Sequence, residues 1–126
     1  MKSSTNNKLI LAFSLIIVIA LSSCHYRHNT NISIHEQRDS YEFYASYSKN
    51  KAVKVQRYLD ERLRSSESYS SEVGNYDLTE VLNDDTKFYI RSAPGRLKIK
   101  LDKRENTEES YKRVKHICEG LKDVLK

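Results

Sequence analysis

The chain has 126 residues and a formal net charge of +5, with 38% apolar and 31% charged side chains. That is globular composition at a length that leaves room for one domain and not for two. The basic excess is spread among charges of both signs rather than gathered in a polybasic tract, so it fits an ordinary soluble domain as well as one near anionic head groups or acidic polymers.

Residues 1–8 carry Lys2 and Lys8 and no acid, and residues 9–21 are apolar except for Ser14. This is the charged and apolar sequence of a secretory signal, and a stretch of thirteen residues is too short to span the hydrocarbon core of a membrane, which takes about 20. The segment Leu21, Ser22, Ser23, Cys24 follows directly. It resembles the lipobox of bacterial lipoproteins, in which an aliphatic residue and two small ones precede an obligatory cysteine. The resemblance implies cleavage between Ser23 and Cys24, a diacylglycerol thioether on Cys24, acylation of the new amino terminus, and stable membrane attachment through two or three acyl chains. An ordinary secretory signal cut near Ser23 and an uncleaved signal anchor are the alternatives.

His25 stands where an aspartate would hold an enteric-type lipoprotein in the inner membrane, so the resemblance implies an outer-membrane destination. The remainder of the chain resembles small uncharacterised lipoproteins of Bacteroidota-type bacteria, a likeness that brings no function with it. There, surface display goes with acidic residues after the cysteine, whereas His25, Tyr26, Arg27 and His28 are basic or neutral. A periplasm-facing domain is the expectation. The domain plan is a signal peptide over 1–23, a lipidated tether over 24–30 and a single small domain over 31–126.

In the mature part, Ile32 and Ile34 alternate with polar neighbours, and Tyr41, Phe43, Ala45 and Tyr47 alternate with Glu42, Tyr44 and Ser46, the period of half-buried strands. The two runs form a hairpin, unless the first is an edge strand or belongs to the tether. From Asn50 the period becomes helical, with Ala52, Val55, Leu59 and Leu63 on one stripe and Tyr58 at its flank. A serine-rich loop over 65–71 ends this helix and continues to Asn75. Three strands are expected over 77–82, 87–92 and 96–102, joined by a turn at Asn83, Asp84, Asp85 and Thr86 and another at Ala93, Pro94 and Gly95. Asn106 with Glu109 has capping-box spacing ahead of a second helical stripe of Tyr111, Val114, Ile117, Leu121 and Val124, which Gly120 weakens slightly. The fold class that buries both stripes is α+β, a two-layer sandwich with an antiparallel sheet of four or five strands and two helices on one face, in ββαβββα order.

In that arrangement Phe88, Ile90, Leu97, Ile99 and Leu101 point at the helices, and the other sheet face carries Glu42, Tyr44, Lys87, Tyr89, Arg91, Lys98 and Lys100. Cations interleaved with tyrosines can hold anionic or sugar-like polymers through charge and ring stacking, and the same composition also suits a merely solvated sheet face. Tyr44, Lys87, Tyr89, Arg91, Lys98 and Lys100 are the candidate binding residues. His25, His28 and His35 lie in a segment read as too flexible for a metal site. His116 and Cys118 are two apart on a helix and face different ways, Cys118 reading as a buried small hydrophobe. Asp84 with Asp85 and Glu108 with Glu109 read as turn and helix-start chemistry. No catalytic motif, cofactor or metal is expected, and nucleic acid is not an expected partner.

These features point to a lipid-anchored cell-envelope accessory protein, not an enzyme, that acts as a binding or interaction module. Its expected partners are the membrane, through Cys24, and an envelope protein or anionic glycan. The alternative is a periplasmic inhibitor or immunity lipoprotein directed against a toxin or lytic enzyme, inserting the loop over 65–75 into a cleft.

Overall fold

Alternation in the sequence becomes one sheet with two unlike faces. In a computed structural model, which describes residues 29–63 and 75–126, the strands are β1 (Asn31–Glu36), β2 (Ser40–Ser46), β3 (Tyr76–Val81), β4 (Lys87–Ala93) and β5 (Arg96–Asp102). They form a single antiparallel sheet in the order β1-β2-β5-β4-β3. Two helices, α1 (Ala52–Leu63) and α2 (Glu108–Val124), complete an α+β fold in the expected ββαβββα order. The first two apolar runs form the expected hairpin, with β1 also the edge strand of the sheet, paired with β2 from Asn31 against Ser46 to Glu36 against Tyr41.

The apolar members of each alternation are buried, and their partners are not. Tyr41, Phe43 and Ala45 on β2, Phe88 and Ile90 on β4, and Leu97, Ile99 and Leu101 on β5 are all nearly without solvent contact. They join Val55, Leu59, Val114, Ile117 and Leu121 of the helices in one core. Truncating any of the buried leucines, isoleucines or phenylalanines among these to alanine costs about 2–5 kcal/mol by transfer and cavity terms.

The β4–β5 turn follows from its residues. Proline presets φ at Pro94, and Gly95 takes φ 89 with its carbonyl accepting from the Tyr47 amide at 2.9 Å. A Cβ at Gly95 would meet the Tyr47 oxygen at 2.9 Å, so glycine is required there twice over. In the β3–β4 turn Asp85 takes the positive φ of 62, and Asp84 Oδ1 accepts from the Thr86 amide at 3.2 Å. β3 ends one residue earlier than the pattern suggests, with Leu82 buried beyond the ladder.

Two expectations need correction. The cap of α2 is Thr107, whose hydroxyl accepts from the Ser110 amide at 3.1 Å, not Asn106. Asn106 instead clips α2's approach to β4, accepting from the Lys87 amide at 2.8 Å and donating to the Lys87 carbonyl at 2.9 Å. Gly120 does more than weaken a helix. The Tyr58 ring of α1 lies over it, with Cζ 2.8 Å from where a Cβ would stand, and the Tyr58 hydroxyl donates to the Ile117 carbonyl at 2.9 Å.

Candidate functional site

Both helices cover the same side of the sheet, which leaves the other side to water and to whatever binds there. Strand register sets its rows. One row runs Ser33, Tyr44, Lys98, Arg91, Asp77, and the next runs His35, Glu42, Lys100, Tyr89, Thr79. Five of the six candidate binding residues therefore lie in two adjacent rows. The sixth, Lys87, sits at the end of β4, where Glu105 holds its ammonium at 2.9 Å.

Tyr44, Arg91, Ala93, Arg96, Leu97 and Lys98 line a shallow cavity of about 240 Å³ on this face. Tyr44 is 41% exposed, so its ring is offered to solvent rather than used in the core. Arg91 reaches Asp77 only at 3.7 Å and Lys98 reaches Glu42 only at 3.8 Å, while Arg96 makes no ion pair among the described residues. Exposed pairs at such distances contribute roughly 0–1 kcal/mol and leave their cations available.

Arg96 was missed by the sequence reading as a site residue. It shares the parity of Lys98 and Lys100, so carrying the alternation back to the first residue of β5 would have found it. Lys100 is more firmly engaged, with its ammonium 3.1 Å from Glu42. The hydrogen bond from Lys100 holds the Glu42 carboxyl below its usual range, so Glu42 stays an anion between two lysines. A hydrogen bond with Asp77 raises the Tyr89 phenol, which stays neutral.

Chemically, the cavity offers two guanidinium forks, an ammonium and an open ring. Guanidinium pairs phosphate or carboxylate oxygens through two parallel hydrogen bonds, and a tyrosine face accepts a sugar or a cation. The acids nearby, Glu42 and Asp77, are outnumbered by Arg91, Arg96, Lys98 and Lys100, so the cavity favours anions.

The remaining sequence candidates are dispersed. His35 belongs to β1 and not to a tether, and its ring lies 3.3 Å from the Ser33 hydroxyl on the open face. His116 is exposed and Cys118 fully buried, and burial pushes the Cys118 thiol up to about 12. Arg113 binds Asp84 at 2.5 Å, tying the β3–β4 turn to α2. Among the described residues no group of three His, Cys, Asp or Glu side chains converges as metal ligands would, and no helix is long and apolar enough to cross a membrane. Ser23, Cys24, His25, His28 and the serine-rich loop lie outside the described residues.

No family model matches the chain, and neither a curated protein nor a solved structure does.

Proposed function

We propose that the protein is a lipid-anchored accessory of the cell envelope that holds an anionic glycan on its open sheet face. The observation that carries the reading is the one-sidedness of the sandwich: both helices lie on one face, and the other gathers Tyr44, Arg91, Arg96 and Lys98 around a cavity. A phosphorylated sugar suits this surface, since its phosphate meets the guanidinium groups and its ring lies on Tyr44. The anchor is supported by the leader and by the lipobox ending at Cys24. In this reading the domain faces the periplasm from the outer membrane, and its work is binding rather than catalysis.

The test uses a phosphorylated oligosaccharide and its dephosphorylated counterpart, titrated into the protein by calorimetry. Arg91→Gln with Lys98→Gln removes two charge-assisted contacts, each roughly 1.5–3 kcal/mol, and is expected to weaken binding of the phosphorylated sugar tenfold or more. Its thermal midpoint should stay close to that of the native protein, because both side chains are exposed and weakly paired. Equal binding of the two sugars, or undiminished binding by the variant, would overturn the reading.

A further inference from the structure

A second surface lies at one end of the sandwich, where the described chain leads in. Thr30, Ile32, Ile34, Lys122, Leu125 and Lys126 line an open depression of about 610 Å³ between β1 and the last turn of α2. Ile32 and Ile34 point to the helix side of the sheet, but β1 is an edge strand, and Ile34 stays 37% exposed. The chain is tied down here. The Thr30 hydroxyl donates to the Leu125 carbonyl at 3.2 Å, and Lys51 donates to the same oxygen at 2.6 Å.

Cations collect around this end. Asn31, Ser46 and Arg96 share a row of the sheet, and Lys49 lies against the Pro94–Gly95 turn, 3.5 Å from a Cβ built on Gly95. Lys49, Arg96 and Lys122 make no ion pairs among the described residues, and Lys126 pairs with Asp123 at 2.7 Å. The acids that anchor the fold, Glu36, Asp84, Asp102 and Glu105, belong to the opposite end.

We infer that this end docks on an anionic phospholipid surface, with Ile32 and Ile34 entering the interface and Lys49, Arg96, Lys122 and Lys126 meeting head-group phosphates. The exposed Ile34 and the half-buried Ile32, rimmed by lysines, have the chemistry of an interfacial membrane contact, where long basic side chains reach phosphates while their stems cover apolar surface. The inference rests on the lipid anchor at Cys24. Thr30 follows Cys24 by six residues, at most roughly 20 Å of extended chain, so an acylated Cys24 keeps this end next to the bilayer. Arg96 would stand at the foot of the open face, bringing its cavity close to glycans carried on lipids.

The experiment reconstitutes the full lipidated protein on vesicles of phosphatidylethanolamine with phosphatidylglycerol, and on vesicles of phosphatidylcholine. An environment-sensitive dye is attached at Ile34→Cys or, as a far-end reference, at Glu109→Cys; the buried Cys118 reacts slowly. Flotation reports anchoring, and quenching of the dye by brominated lipids reports docking. Strong quenching at position 34 on the anionic vesicles, little at 109, and a loss of roughly fivefold or more with Lys122→Glu and Lys126→Glu are expected. Flotation with position 34 no more quenched than 109 overturns the docking and leaves the anchor standing. A dye at 34 that is shielded regardless of lipid charge and of the lysine variants means that the protein's own acyl chain fills the depression, which also overturns it. Failure of the native protein to float overturns the anchor, and the docking with it.

Discussion

Glu36 is the residue whose surroundings were least visible in the sequence. Its carboxylate accepts from the Tyr111 hydroxyl, from Lys103 at 3.0 Å and from Lys115 at 3.2 Å, partners 75, 67 and 79 residues away along the chain. Lys103 also lies 4.3 Å from the centre of the Tyr111 ring, which meets Tyr41 edge-on at 5.9 Å. The Tyr111 hydrogen bond first, then the two lysines, lower the Glu36 carboxyl from 4.5 to about 2. A carboxyl lowered in the folded state stabilises the fold above its ordinary pKa, and that contribution is lost as pH falls through the folded value. Glu36→Gln should therefore cost about 1 kcal/mol or less at pH 7, solvent screening keeping it small, and the deficit should shrink between pH 4.5 and 2. Thermal unfolding of both proteins across that range checks it, and a deficit independent of pH would show that charge is not its source. No local pattern announces such a cluster, because its members meet only when β1, the segment after β5, and α2 are assembled.

At the scale of elements, periodicity was the informative signal, and contacts between elements supplied what it lacked. Ala52, Val55, Leu59 and Leu63 are buried on α1 as their spacing predicts, and so are Tyr111, Val114, Ile117 and Leu121 on α2. Their seam depends on Gly120. Gly120→Ala gains up to about 1 kcal/mol of helix propensity, while crowding of Tyr58 costs about 1–3 kcal/mol and disturbs its bond to Ile117. We expect net destabilisation by about 1 kcal/mol, turning into net stabilisation when Tyr58→Leu is the background. Urea unfolding of the two singles and the double measures the coupling, and additive effects would mean the ring moves aside freely. The cap was misplaced by one residue for a related reason. Asn106 and Thr107 both have capping side chains, and the choice fell to Thr107 because Asn106 is used by the backbone of β4.

For the whole molecule, the proposed lipid anchor would organise both the proposed activity and the orientation inferred for the domain. Cys24→Ala is expected to move the protein from the membrane to the soluble fraction of cells, while leaving the fold intact because position 24 precedes the sandwich. Membrane association equal to that of the native chain would argue for an uncleaved signal anchor. The sequence by itself determined the secondary structure, the fold class and the parity that places Tyr44, Tyr89, Arg91, Lys98 and Lys100 on one face, since these depend on side-chain periods of two and 3.6 along a continuous chain. Only the tertiary structure decided that β2 and β5 are neighbours, so that Tyr44, Arg91, Arg96 and Lys98 share a cavity. It alone also decided that Ile32 and Ile34 border the end of α2 beside Lys122 and Lys126. Strand order and the meeting of distant ends are set by how the helices cover the sheet, a long-range packing choice that no local period encodes.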